Sequence, residues 1–260
     1  MVARALPSLR SLRLILLAGA TAALLGACAT NNTSSFKQPD FSQATPQQKQ
    51  QAIAGLGARY KAQPNDKTTI LYYSAALRSA GQAEQAVSVV EAGISLYPND
   101  VDLKVAYAKA LAAAGRFSQA LNVIQDAIDP AAPDWNALLV EGAILDQTGD
   151  NQQARTIYNQ ALTVAPMQAA IEANIGLSYA MSNDLTQAEA HMRKALTMIG
   201  VTSQMRQNLA LVVGLQGRFD EARALLAADL PPDEVEANMA YIRSLLTQQN
   251  RWDQIKGSKQ

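Results

Sequence analysis

Chemistry in a protein needs a nucleophile, a proton carrier or a metal ligand, and this sequence is short of all three. It holds one cysteine, Cys28, and one histidine, His191. A lone cysteine forms no internal disulfide and no thiolate metal cluster. The lone histidine has no second imidazole to share a metal. It sits beside Met192 in a helical stretch, where a solvated or half-packed ring on the convex side is expected. The 22 acidic residues are scattered, mostly on helix exteriors and ends, where a solvated face is the default. No glycine-rich phosphate loop follows a strand, and no strand is evident. The 22 basic residues balance the acids, which leaves no electrostatic footprint for nucleic acid. These features argue against an enzyme, a metal, a cofactor or a small-molecule substrate. Binding to another protein is the remaining option, and the elements that would present a binding face are legible.

Ser74, Gly81, Ala86 and Pro98 begin a series with a 34-residue step. The step lands on Ala108, Gly115, Ala120 and Ala132, then on Gly142, Gly149, Ala154 and Pro166. Two further steps give Gly176, Asn183, Ala188 and Gly200, then Ala210, Gly217, Ala222 and Glu234. Within Lys67–Asp100, Ile70, Tyr73 and Leu77 make one helical face, and Ala86, Val87, Val90 and Ile94 make a second. Gly81 separates them, because the residue after a helix often takes positive φ. Asn183 replaces glycine once, and asparagine is the next most tolerant residue at that φ. A fixed period with two amphipathic runs per unit is a helical repeat array.

Small slots mark where helices cross. The first holds Ser74, Ala108, Gly142, Gly176 and Ala210; the second holds alanine in every repeat. Large slots repeat too: Leu77, Leu111, Leu145, Tyr179 and Val213, then Val90, Ile124, Tyr158, Met192 and Leu226. The pattern from Lys67 to about Glu236 resembles the tetratricopeptide repeat (TPR). The resemblance implies an all-α solenoid, a right-handed superhelix of antiparallel helix pairs around a concave groove. Two residues depart from it: Glu141 takes a slot usual for a large apolar side chain, and Asp229 one otherwise held by Gly93, Ala127, Ala161 and Ala195. Pro231 and Pro232 are expected to end the last second helix early.

In TPR proteins the first helices line the groove. Asn174, Asn208 and Asn238 hold corresponding places on three successive first helices, and they resemble groove asparagines that hold an extended peptide's backbone. A carboxamide suits this because it donates and accepts. Leu177, Met181, Leu211 and Leu215 lie on the same helices and would give an apolar floor, although packing within the solenoid explains each as well. The lysine and arginine set with which chaperone TPRs clamp a C-terminal carboxylate is not apparent.

Ahead of the repeats, Arg4, Arg10 and Arg13 precede an uncharged apolar run from Leu14 to Ala27. Fourteen residues at about 1.5 Å each fall short of a roughly 30 Å hydrocarbon core, so a cleaved signal is favoured over a spanning helix. The run ends Leu25-Gly26-Ala27-Cys28, which resembles the bacterial lipoprotein box. That resemblance implies a covalent lipid on Cys28 and, since Ala29 rather than aspartate follows, an outer-membrane anchor facing the periplasm. Loss of three arginines would leave 19 basic against 22 acidic residues. Ala29–Thr45 is polar and reads as a tether with a reach of roughly 23 Å.

The expected layout is a signal peptide at 1–27, the lipidated cysteine and tether at 28–45 and a partial repeat at 46–66. Five repeats follow at 67–100, 101–134, 135–168, 169–202 and 203–236, then a capping helix over Glu236–Thr247 and a polar tail, together 237–260. The lipobox, the size and the ending Asn238-Met239-Ala240-Tyr241-Ile242-Arg243 with Asn250-Arg251-Trp252 resemble the tight-adherence (Flp) pilus assembly lipoproteins. The resemblance implies a pilotin-like scaffold for the secretin and pilus machinery. The alternatives are a periplasmic adaptor for peptidoglycan enzymes and a component of β-barrel assembly.

Overall fold

Helix ends leave backbone groups unpaired, and here the 34-residue period supplies the groups that close them. The computed structural model describes residue 41 and residues 44–257, with side chains through Thr247. Cys28, the signal segment and most of the tether lie outside the described residues. The helices are α1 (Pro46–Ala62), α2 (Lys67–Ser79), α3 (Ala83–Leu96), α4 (Val101–Ala113), α5 (Phe117–Ala127) and α6 (Trp135–Thr148). They continue with α7 (Asn151–Val164), α8 (Ala169–Met181), α9 (Leu185–Ala195), α10 (Ser203–Leu215), α11 (Phe219–Ala227) and α12 (Pro232–Gly257). The fold is an all-α repeat solenoid, with no strand among the described residues.

Three aspartates at the period cap the first helices of three repeats. Asp66 Oδ2 accepts from Thr69 N at 2.8 Å, and Asp100 Oδ1 from Leu103 N at 3.0 Å. Asp134 Oδ1 accepts from Asn136 N and Ala137 N, both at 2.9 Å. Each such cap stabilises its helix by about 1 kcal/mol. The fourth place is Gln168, which does not cap with its side chain. There Ala169 N donates to Ile199 O at 3.0 Å and Ile199 N to Met167 O at 2.9 Å, so a short parallel bridge does the work. At the other ends, Gly81, Gly115, Gly149 and Gly217 have φ of 75°, 74°, 91° and 84°, and Asn183 has φ 60°.

Packing follows the small and large slots. All five second-slot alanines are fully buried. The first slot is matched to the large side chain sixteen residues on. A Cβ at Gly142 would run into the Tyr158 ring, and one at Gly176 would lie 2.7 Å from Met192 Cγ. Gly142 and Gly176 thus leave room for the Tyr158 ring and the Met192 side chain, while Ala108 and Ala210 hold the slots that correspond to Ile124 and Leu226.

Each helix packs on its chain neighbours, and α2, α4, α6, α8 and α10 also touch the next first helix. No second helix brings its backbone as close to the next among the described residues, although charged side chains of α9 reach Arg218 and Glu221 at α11. First helices therefore approach more closely and form the inner wall of the curve.

Three local findings refine the sequence reading. Glu141 is buried, and its carboxylate accepts from Gln125 Nε2 at 2.9 Å. Asp229 leaves the small-residue pattern because Arg206 grips it at 2.5 and 2.7 Å. Pro231 and Pro232 do not stop α11, which ends at Ala227; Pro232 instead opens α12, where a missing N–H costs nothing. That last helix starts ahead of Glu236 and runs on to Gly257, through part of the stretch expected to be a polar tail.

Candidate partner-binding groove

The inner wall is continuous from α2 to α10 and carries two different sets of side chains. Toward the C-terminal end stand the expected asparagines. Asn174 Nδ2 donates to Ala170 O at 2.8 Å and Asn238 Nδ2 to Glu234 O at 2.8 Å. Asn208 Oδ1 accepts from Gln204 Nε2 at 3.1 Å. Each carboxamide thus leans on a residue four places back on its own helix, and none is committed to a neighbouring repeat. The residues that follow them, Ile175, Leu209 and Met239, are all buried, which places the three asparagines at one register on their helices. Leu177 and Leu211 are half-buried and pack on the C-terminal core, Leu215 is half-buried, and Met181 is exposed.

Toward the N-terminal end the wall holds residues that sequence spacing did not single out. Arg78 of α2, Lys109 of α4, Asn136 and Gln147 of α6 and Asn174 of α8 line one cavity of about 430 Å³. Ala112, Ala113 and Ala143 keep it open, and Leu139, Val140 and Ile144 give it an apolar side. Lys109 Nζ donates to Asn136 Oδ1 at 3.3 Å. Arg78 Nε is cut off from solvent and has no hydrogen-bond partner. Burial, reinforced by the charge of Arg78, pulls Lys109 down to about 8, against the weaker opposing pull of Asp134 and Asp102. Burial lowers Arg78 as well. The wall therefore brings Asn174 together with two cations, while Asn208 and Asn238 stand outside that cavity.

His191 is half-packed, as expected, but it is not without a partner. Its Nδ1 lies 2.6 Å from Oε2 of the fully buried Glu172, whose Oε1 receives Lys194 Nζ at 2.5 Å. The imidazole stacks on Tyr179 at 5.3 Å between centroids, and the Arg155 guanidinium lies 4.5 Å over the same ring. Nearby, the buried Asp146 accepts from Tyr158 Oη at 2.8 Å and from Ser178 Oγ and Asn151 Nδ2 at 2.7 Å. That satisfied carboxylate pushes the Tyr158 phenol up, behind the larger effect of burial. Both clusters join helices within the solenoid. Among the described residues no group of histidine, cysteine and carboxylate side chains is arranged to hold a metal. No described helix is long and apolar enough to cross a membrane.

Tetratricopeptide repeat families match residues 77–142, 139–199 and 208–228. With the helix pairs and turns described above, they show that the chain is a tetratricopeptide-repeat protein. No curated protein matches it. Among solved structures, human IFIT1, a dimer with PPP-AAAA, is 16% identical over 75% of this chain and 49% of its own, at TM-score 0.58. The chain thus spans about half the length of IFIT1. PilW, described as a widely conserved type IV pilus biogenesis factor, is 17% identical over 77% of this chain and 91% of its own, also at TM-score 0.58. At these identities the likeness is one of fold.

Proposed function

We propose that this protein is a lipid-anchored, non-enzymatic assembly factor at the outer membrane, whose groove holds a secretin or another component of a pilus machinery in a pilotin-like role. The observation that carries the reading is the inner wall itself. Successive first helices present the Asn174, Asn208 and Asn238 carboxamides, bonded only within their own helices, and the unpartnered Nε of Arg78, none of which the fold uses to bind neighbouring repeats. Buried or half-buried polar groups left uncommitted are costly unless a partner satisfies them. PilW supports the direction of the proposal, since a pilus biogenesis factor shares the fold over most of its own length. In this reading Cys28 carries the lipid and residues 29–45 set how far the repeats stand from the bilayer. Acylation at Cys28 supplies a stable anchor only with two or more chains.

The test is crosslinking of the lipidated protein in native membranes, followed by pull-down and mass spectrometry. Recovery of a secretin or pilus-assembly protein, reduced in an Asn174→Ala/Asn208→Ala variant, is the expected result. Recovery of cell-wall hydrolases or synthases would replace the reading with a peptidoglycan adaptor. Cys28→Ser is expected to leave the folded protein in the soluble fraction, and persistence with membranes would remove the anchor.

A further inference from the structure

Several cations elsewhere in the repeats meet carboxylates, and Arg155, which does not, bonds Ser178 and Ser182 and lies over the Tyr179 ring. Lys67 lies 2.6 and 2.9 Å from Asp100 and Asp102, and Lys104 lies 2.5 Å from Asp126. Arg193, Arg206 and Arg218 are likewise paired. Arg78 and Lys109 are different: among the described residues neither has a carboxylate within ion-pair distance. The acids that exert a field on Lys109 are engaged elsewhere, Asp102 with Lys67 and Asp134 with the N-terminus of α6. Two like charges share one partly desolvated cavity, and one of them has an orphaned buried N–H. An unpaired buried charge is strongly unfavourable, and a carboxylate that accepts from both groups relieves it.

The cavity also limits what could bring that carboxylate. Its volume of about 430 Å³ has room for one large side chain and a short length of backbone. Leu139, Val140 and Ile144 suit the methylenes of an acidic side chain. Asn136 and Asn174 can donate to and accept from a peptide backbone beside it. The wall continues past the cavity through α8 and α10, so an extended segment can run on instead of ending there.

We propose that the Arg78–Lys109 cavity is a specificity pocket for an internal aspartate or glutamate side chain of an extended partner segment. The proposal rests on the groove being the partner-binding surface, as argued above, and adds the chemistry that one point of it selects.

The test uses the full chain and synthetic octapeptides, N-acetylated and C-amidated, carrying one glutamate at varied positions on an apolar and asparagine-containing frame. Matched peptides carry glutamine in its place, and a third set carries glutamine with a free C-terminal carboxylate. Fluorescence anisotropy is expected to show the glutamate peptides binding about ten-fold or more tighter than the glutamine ones. That preference is expected to vanish in Arg78→Met and Lys109→Met and to survive in Lys109→Arg, which keeps the charge. Affinity for the glutamate set is expected to fall above about pH 8, as Lys109 in the free protein loses its proton under the influence of Arg78, Asp102 and Asp134. Equal binding of the glutamate and glutamine sets overturns the pocket and leaves the groove standing. Preference for the free C-terminus over internal glutamate overturns it in favour of chain-end recognition. Absence of binding by any set, with partner crosslinks mapping to second helices, overturns the groove and the pocket together.

Discussion

Two parts of this solenoid treat charge in opposite ways. On α9 and α11, Glu189 accepts from Arg193 Nε at 2.7 Å, from Arg218 Nη1 at 2.7 and 2.9 Å and from Gln216 Nε2 at 2.8 Å. Glu221 pairs with both arginines from the other side. Burial alone would push Glu189 up, but these donors hold it down to about 2. On α2 and α4, Arg78 and Lys109 share the inner wall with no acid to receive them, and Lys109 is driven toward neutrality. The first arrangement fixes one second helix against the next. The second leaves two cations without a carboxylate at a surface, and its one bond to the fold is the long Lys109–Asn136 contact. Within one repeat architecture, compensated charge marks a joint, and uncompensated charge marks a place where something outside the chain is wanted.

That contrast can be broken, starting with the largest expected effect. Glu172→Ala removes the buried carboxylate that gathers His191 and Lys194, and is expected to cost about 2–3 kcal/mol in urea unfolding. A loss under about 0.5 kcal/mol would show that this cluster is no joint. Lys109→Met is expected to do the reverse, raising stability by about 1–3 kcal/mol at pH 7 because a poorly solvated cation disappears. The pH dependence sharpens the point. Since the folded protein holds Lys109 near 8 against an ordinary 10.5, the unfolded chain binds more protons between those values and the wild type gains stability as pH rises through them. In Lys109→Met that gain is expected to be absent.

The acid side runs the other way. Glu189 sits near 2 against an ordinary 4.5, so its contribution is complete above pH 4.5 and is lost as pH falls from 4.5 toward 2. Glu189→Gln is expected to flatten that part of the acid-unfolding curve. The smallest effect is reserved for Asn174→Ala with Asn208→Ala, expected to change stability by no more than about 0.5 kcal/mol, since each side chain bonds only within its own helix.

Sequence spacing showed the joints better than the pocket. The glycine turns, the alanine crossings and the asparagine at 183 all sit at the 34-residue step, so repetition itself displayed them. The same step runs through Asp66, Asp100 and Asp134, whose capping role goes beyond the helix break that the Pro-Asn-Asp setting of Asp66 and Asp100 suggested. Arg78 and Lys109 are 31 residues apart and occupy different turns of their helices. No slot links them, and only the curvature of the wall brings them to one cavity. His191 and Glu172 face each other across the turn of a single repeat, a pairing that the spacing between repeats does not display. Near the C-terminus the nine-residue α11 shortens the unit, and Pro232 starts the next helix before the step would place it. A period is legible while each unit repeats the last, and it stops being informative where one unit is cut short or where function needs a single irregular residue.

The reach of the helix contacts has a mechanical consequence. No first helix touches beyond the next repeat among the described residues, so nothing ties one end of the coil to the other. Its stiffness is then that of springs in series: a slight rotation at each junction adds to the next, and the distance between widely separated points on the wall is far softer than the spacing of adjacent helices. A segment that bridges several repeats would act as a strut, setting the pitch of the coil as well as occupying its inner face.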